Sequence, residues 1–91
     1  MKVNFAKLEM YTSIRKDSTV LVDVKEMVAN TMYTSMPGIA PASLAMKIYN
    51  SDGEVELTQE EVLILDRMML QSSGIMRDSW NKAKEMFNDK N

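Results

Sequence analysis

The sequence predicts an α+β fold in which an N-terminal β-hairpin precedes four short helices and a short third strand lies around residues 54–57. Three observations predict it. Residues 3–22 alternate apolar and polar side chains or are β-branched, as strands are. Residues 23–88 then carry apolar side chains at helical spacing in four blocks. Helix-capping residues, Pro or Gly separate these blocks.

The hairpin is predicted from two extended segments that flank a polar turn. In the first segment, residues 3–14, the apolar residues occupy odd positions up to residue 5 and even positions from residue 8. This change of parity near residues 6–7 predicts a bulge or a late strand start. Residues 15–18 are polar and form the expected turn. Residues 19–22 are apolar and largely β-branched, so they predict the second strand of an antiparallel pair.

The first two helices are predicted between residues 23 and 50. Asp23, followed by Glu26 three residues later, predicts an N-cap with a variant capping box. The apolar stripe of this first helix is Val24, Met27, Val28, Thr31 and Met32. Pro41 can begin the second helix, because its missing N–H would have no helical partner at that position. The apolar face of that helix is Leu44, Ala45, Ile48 and Tyr49.

The third helix has the clearest start signal in the chain. Residues 50–53 end in Gly53 and predict a tight turn, and residues 54–57 alternate Glu with apolar residues, as a short edge strand does. Thr58 and Glu61 then have the spacing of a capping box. The apolar face of the helix that follows is Val62, Ile64, Leu65, Met68 and Met69.

The fourth helix is expected over about residues 76–88, after residues 72–74 have ended the third. Trp80 is expected to anchor the core from this helix. The other apolar positions of its stripe are Met76, Ala83 and Phe87. No linker or internal repeat divides the chain, so residues 1–91 are expected to form a single small domain.

The composition argues against most catalytic and metal chemistry. The 91 residues include no Cys and no His, which excludes a disulfide framework, a thiolate or imidazole metal site and a histidine general base. The paired carboxylates lie on the predicted edge strand or in first helical turns, where charge has a structural role. The sequence therefore predicts no catalytic residue, no metal and no cofactor, and a protein that is not an enzyme.

Charge and hydropathy bear on the partners and the compartment. A formal net charge of −2 argues against a dedicated binder of nucleic acid or of membrane surfaces. The longest apolar run, residues 62–65, is far shorter than the roughly 20 residues that cross a bilayer. Asn4 and Lys7 interrupt any signal-peptide core near the start of the chain. We therefore expect a cytoplasmic protein.

The ten methionines are the one compositional feature that indicates a function. Flexible thioether side chains suit adaptable protein interfaces as well as irregular cores. Met27, Met32 and Met76 occupy stripe positions and are expected in the core. The methionines in excess of a small core are predicted to bind a protein partner or a second copy of the chain. They are Met36, Met46 and Met68.

An alternative hypothesis is a small DNA-binding transcriptional regulator. The third and fourth helices are joined by a short turn that contains Gly, which is compatible with a helix-turn-helix. The side chains of the fourth helix that could contact phosphates and bases are Arg77, Asn81, Lys82 and Lys84. Asp78, Glu85 and Asp89 lie on the same helix and argue against this alternative, because a DNA-binding face is usually a basic stripe.

Residues 21–33 and 43–57 resemble short proteins encoded in bacterial prophages and related mobile elements. The shared pattern is a helix that begins at an Asp and ends in Asn-x-x-Tyr, then a Leu-Ala-x-x-Ile-Tyr helix and an acidic turn. It covers about the central half of the chain. The resemblance implies an accessory protein of phage or prophage type, of uncharacterised function, in the cytoplasm of a bacterial host cell. It assigns no functional residue.

Overall fold

The structure, a computed structural model, describes residues 1–89, with side chains described through Met86. Two small antiparallel sheets and four helices form an α+β fold with an N-terminal hairpin, as predicted. The elements in chain order are β1 (Lys2–Asn4), β2 (Leu8–Tyr11), β3 (Thr19–Val22), α1 (Lys25–Ser35), α2 (Ile39–Tyr49), β4 (Glu54–Glu56), α3 (Gln59–Met69) and α4 (Gly74–Asp89). Within these residues, no helix combines the length and the apolar character that crossing a bilayer requires.

The predicted hairpin consists of β2 and β3. Leu8 lies opposite Val22 in the antiparallel register. The loop is longer than the predicted turn, because Thr12 and Ser18 already close it. The N–H of Thr12 donates to the C=O of Ser18 at 3.1 Å, and the two hydroxyl oxygens are 2.6 Å apart. Inside the loop, Lys16 adopts a φ of 57°, a left-handed conformation that is uncommon for residues other than Gly.

The parity change near residues 6–7 marks a turn between two strands of different sheets. β1 pairs antiparallel with β4, whereas β2 pairs with β3. Asn4 forms the turn: its C=O accepts from the N–H of Lys7 at 3.2 Å, and its Oδ1 accepts from the N–H of Ala6 at 3.0 Å. The alternative of a bulge is therefore wrong, whereas the alternative of a late start is confirmed, because the first strand of the hairpin begins at Leu8, after this turn.

Phe5 lies in this turn and connects three parts of the fold. Its N–H donates to the C=O of Gly53 at 2.8 Å, and its C=O accepts from the N–H of Val24 at 2.8 Å. Its side chain is fully buried and stacks on Trp80 of α4, with ring centroids 6.5 Å apart and an interplanar angle of 16°. A single residue thus ties the turn before β4, the start of α1 and α4 together.

Gly53 permits this close approach of two chain segments. Its φ of 121° lies in a region that residues with a Cβ rarely adopt. A Cβ at this position would lie 2.5 Å from the Cβ of Ala6 and 2.8 Å from Oδ1 of Asn4. The turn predicted from residues 50–53 therefore requires Gly for its conformation and for the space it leaves.

The predicted N-cap is confirmed for α3 and is wrong for α1. The N–H of Glu61 donates to Oγ1 of Thr58 at 3.2 Å, and the N–H of Thr58 donates to Oε1 of Glu61 at 2.9 Å, which confirms the capping box. At α1, the N-cap is Val24 rather than Asp23. The Asp23 carboxylate instead accepts from the N–H of Lys25 at 3.1 Å, so the variant capping box predicted there is wrong.

α2 and α4 each begin two residues earlier than predicted. α2 begins at Ile39 with Gly38 as its N-cap, at a φ of 108°, so Pro41 lies in its first turn. α4 begins at Gly74, which was expected to help end α3. Oγ of Ser73 accepts from the N–H of Met76 at 3.2 Å, so Ser73 caps α4 and Gly74 belongs to its first turn.

One hydrophobic core lies between the sheets and the helices. Its buried apolar residues are Val3, Phe5, Leu8, Val24, Val28, Ala29, Met32, Leu44, Ala45, Ile48, Val55, Leu57, Leu65, Met68, Met69, Met76 and Trp80. Met27 and Tyr49, both predicted to be in the core, are about half exposed. α1 packs on α2, and Ala29 and Ala45 are buried, whereas Met27 lies on the solvent side of α1. Phe87, predicted for the α4 stripe, lies outside the described side chains.

Trp80 anchors the core as predicted, and its polar edge is bound by a carboxylate. Its Nε1 donates to Oδ1 of Asp66 at 2.7 Å, and the same oxygen accepts from Nζ of Lys84 at 2.7 Å. Burial by itself would raise the pKa of Asp66. The hydrogen bonds from Lys84 and Trp80 outweigh burial and hold this pKa below its usual value of 3.8.

We expect Trp80→Ala to lower the free energy of unfolding by about 3–5 kcal/mol, because the fully buried indole would leave a cavity next to Phe5. Urea denaturation followed by circular dichroism measures the loss. Leu70→Ala is the control, since Leu70 is 71% exposed and should change stability by less than about 0.5 kcal/mol. Equal urea midpoints for Trp80→Ala and the wild type would contradict the buried position.

We expect stability to fall in acid as Asp66 becomes protonated. Since the pKa of Asp66 is lower in the folded state than in the unfolded state, its contribution is complete above the unfolded value. It is lost as the pH falls below about 4, through the folded-state pKa. Asp66→Asn should remove on the order of 1 kcal/mol at pH 7, a figure reduced for partial exposure, and flatten the acid dependence.

Chemical denaturation at a series of pH values checks this expectation for Asp66. Asp17→Asn is the matched control, because its carboxylate is an exposed group in the hairpin loop. The control should keep the wild-type pH profile. An Asp66→Asn profile as steep as that of the wild type would show that the contact of Asp66 with Trp80 and Lys84 does not contribute to acid sensitivity.

We expect Gly53→Ala to destabilise the fold by about 1–3 kcal/mol, because the φ of 121° is strained for Ala and the new Cβ collides with the turn of Asn4. Gly74→Ala is the matched control. A Cβ at Gly74 meets nothing within 4 Å, so this substitution should be neutral or stabilise the protein by up to about 1 kcal/mol. Thermal melts of both variants test the difference, and equal melting temperatures would refute it.

Candidate protein-binding surface

The outer surfaces of α1 and α2 form a groove of about 400 Å³. The two helices are joined by residues 36–38 and pack against each other. Ala29 and Ala45 line the groove and are 3% and 2% exposed, so they form its floor. Because both floor residues are small, side chains of a bound molecule could approach the two helix backbones closely. We call this surface the α1–α2 groove.

The walls of the α1–α2 groove are large side chains that remain in contact with solvent. Tyr33 is 62% exposed, Met46 is 49% exposed and Tyr49 is 47% exposed. Tyrosine and methionine are enriched in protein interfaces, because they bury much apolar area and, for methionine, adapt to the partner. The polar lining consists of Glu26 and Asn30, both exposed. The groove thus combines apolar walls with one carboxylate.

The structure separates the three methionines that were predicted to bind a partner. Met46 forms a wall of the α1–α2 groove. Met36 is partly buried and packs against the core at the end of α1. Met68 is 2% exposed, because the α3 face that carries Leu65 and Met69 turns inward. Met68 therefore belongs to the core of the folded chain, and its predicted contact with a partner does not fit its burial.

The predicted partner residues did not include the two tyrosines. Tyr49 has the helical spacing of a core residue, since it lies four positions after Ala45 and next to Ile48. Tyr33 follows Met32 and is not one of the positions of the predicted apolar stripe of α1. Its place outside the stripe was the sequence signal that it faces outward. Only the packing of α1 on α2 shows that Tyr33 and Tyr49 line the same groove as Met46.

The residues predicted for DNA binding lie on α4, and two of them are engaged within the protein. Nζ of Lys82 is 2.8 Å from Oε2 of Glu9, and this contact raises the pKa of Lys82 despite some desolvation. Nζ of Lys84 is bound to Asp66. Arg77 and Asn81 are exposed. With two of its three cations neutralised by neighbouring carboxylates, this set of residues does not form a basic stripe.

A larger cleft, of about 630 Å³, lies between β1, β2 and α4. Its apolar lining consists of Val3, Leu8, Leu21, Ala83 and Met86. Two of the lysines beside it are ion-paired, Lys2 with Glu54 at 3.7 Å and Lys82 with Glu9. Among the described side chains, no buried N or O atom lacks a hydrogen-bond partner, and no cluster of acidic residues could hold a metal ion.

Comparisons of this chain with protein-family models, with curated proteins and with solved structures found no match. The functional argument for this protein therefore rests on its own residues. Of these two concave surfaces, the α1–α2 groove has exposed aromatic side chains, Tyr33 and Tyr49, beside an exposed thioether. The larger cleft has no aromatic lining, and it combines exposed Leu21 and Met86 with several charged residues. The α1–α2 groove is the candidate functional site.

Proposed function

We propose that this protein is a small accessory protein that binds another protein in the α1–α2 groove. The observation that carries the proposal is the grouping of Tyr33, Met46 and Tyr49 around a floor of two alanines. Each of the three leaves about half or more of its surface in water in the isolated chain. Covering such side chains is favourable by about 25 cal/mol per Å² of apolar area.

An amphipathic helix is the partner segment that fits this surface. A groove between two packed helices runs along them, so a third helix can place its apolar side chains against the floor. The small side chains of Ala29 and Ala45 leave room for this approach. The exposed carboxylate of Glu26 favours a Lys or Arg beside the apolar face of the partner.

The biological setting of this accessory protein is a separate part of the proposal. The resemblance of residues 21–33 and 43–57 to prophage-encoded proteins supports a phage or prophage origin and a role in the cytoplasm of a bacterial host cell. These two segments include most of α1, α2 and β4, so they contain the α1–α2 groove. The resemblance does not name the partner, and the chemistry above is the guide to it.

A selection from a displayed library of helical peptides tests the α1–α2 groove directly. We expect enriched peptides to carry apolar residues at i, i+3 or i+4, and i+7, with a flanking Lys or Arg. Met46→Lys should weaken their binding at least about tenfold, or 1.4 kcal/mol, because it places a charge on an apolar wall. Fluorescence anisotropy measures the affinity, and circular dichroism should show an unchanged fold, since Met46 is half exposed.

Leu63→Lys is the matched control for this experiment. Leu63 is an apolar side chain on α3 with 56% exposure, outside the α1–α2 groove, so the same charge there should leave peptide affinity unchanged. Tyr33→Ala provides a second variant of the groove and should also weaken binding. The proposal fails if no peptide is enriched, or if the enriched peptides bind Met46→Lys as tightly as the wild type.

A further inference from the structure

β3 is an edge strand with an open side. It pairs with β2, and no other strand in residues 1–89 pairs with it. Along an antiparallel pair of strands, directly opposed residues alternate between pairs that share backbone hydrogen bonds and pairs that do not. Thr12 and Ser18 are a hydrogen-bonded pair, and this fixes the alternation along β2 and β3. Val20 lies opposite Met10 at a bonded position, whereas Leu21, opposite Glu9, and Thr19 occupy the alternate positions.

The backbone groups of Thr19 and Leu21 therefore point away from β2. The far side of β2 supports this assignment, because Tyr11 lies opposite Thr19 and directs its N–H away from β3, to Oγ of Ser79 at 3.4 Å. On the far side of β3, among the described residues, no strand or side chain accepts from or donates to Thr19 and Leu21. We call the outward N–H and C=O groups of Thr19 and Leu21 the open edge.

Apolar side chains flank the open edge on both faces of the strand. Val20 is 51% exposed and Leu21 is 64% exposed, and successive strand residues point to opposite faces. The strand contains no charge, no Pro and no bulge, which are the usual means of preventing edge-to-edge association.

The second sheet of the same protein has this protection. Both of its strands are edge strands and carry charged residues, which are Lys2 on β1 and Glu54 and Glu56 on β4. These charges lie in strands of only three residues. Since short, charged strands resist the addition of another strand, the contrast singles out β3 as the edge that is suited to pair with an extended chain.

We propose that two copies of this chain associate by antiparallel pairing of β3 with β3. A register with Val20 on the two-fold axis places Thr19 of each copy opposite Leu21 of the other. Because the outward groups of both residues then meet, this register forms four new backbone hydrogen bonds and a four-stranded sheet. The contact is self-complementary, as a two-fold interface requires.

The distribution of charge supports the antiparallel orientation. The hairpin loop, which precedes β3, has a net charge of +1 over residues 15–17. The segment that follows β3 and begins α1 has a net charge of −1 over residues 23–26. Antiparallel pairing brings the loop of one copy to the α1 start of the other. The attraction is small, because Lys16, which gives the loop its net charge, is already paired with Asp78 of its own chain at 3.5 Å. Parallel pairing would place like charges together.

Sedimentation equilibrium of the full chain over a wide concentration range tests the proposal. The wild type should approach twice the chain mass of 10.4 kDa. Leu21→Lys should shift the mass to that of one chain, because it places a charge at the open edge. Thr19→Pro should do the same, because it removes an outward N–H and leaves the bonds to β2. Leu63→Lys, on α3, should behave as the wild type.

A cysteine substitution tests the register. The chain has no Cys, so Val20→Cys introduces a single thiol. In the proposed register, the two copies of residue 20 form a pair without mutual hydrogen bonds, with Cα atoms about 4.5 Å apart, which a disulfide can span. We expect mild oxidation to yield a covalent dimer of Val20→Cys much faster than of Leu63→Cys.

The self-association proposal has distinct outcomes that would overturn it. A wild type that sediments as a single chain at every concentration would do so. Dimers of Leu21→Lys as stable as those of the wild type, with an unchanged circular dichroism spectrum, would also do so. Equal oxidation rates for the two cysteine variants would overturn the register. None of these outcomes bears on the α1–α2 groove, which lies on other elements.

Discussion

The contacts of Phe5 hold the fold together. Its backbone bonds to Gly53 and Val24 bring the N-terminal segment against the turn before β4 and the start of α1, and its ring stacks on Trp80 of α4. These three partners are far apart in sequence, so each contact closes a long loop of chain. Both sheets depend on this junction, because β1 and β2 leave it in different directions to pair with β4 and β3.

Two partly buried carboxylates join helices of the fold through hydrogen bonds and ion pairs. Asp66 links α3 to α4 through Trp80 and Lys84, and Glu61 links α3 to α2 through Lys47 at 2.8 Å. Burial by itself would raise the pKa of Glu61, but its hydrogen bonds to Lys47 and Thr58 hold that pKa below the usual value. These contacts join α3 to both neighbouring helices, whereas the two surfaces that we propose for partners, the α1–α2 groove and the open edge, consist mainly of exposed apolar side chains.

The elements that were predicted well are those with local causes. The capping box of Thr58, the turn at Gly53 and the apolar spacing of α3 each depend on residues within a few positions, and all three are present. The first strand was predicted less well, because a parity change has the same pattern in a bulge and in a turn between two sheets. Of the predicted partner residues, Met46 lies in the candidate site, whereas Met68 lies in the core.

The sequence by itself determined the α+β class, the hairpin, four helices and the core position of Trp80, since periodicity and capping are local properties of the chain. Tertiary structure alone decided which of the apolar side chains of α1 and α2 are covered. The packing of α1 on α2 places exposed Tyr33 and Tyr49 beside the same groove, and the division of the N-terminal segment between two sheets leaves β3 with an open edge. Both surfaces result from contacts between elements, which local spacing does not specify.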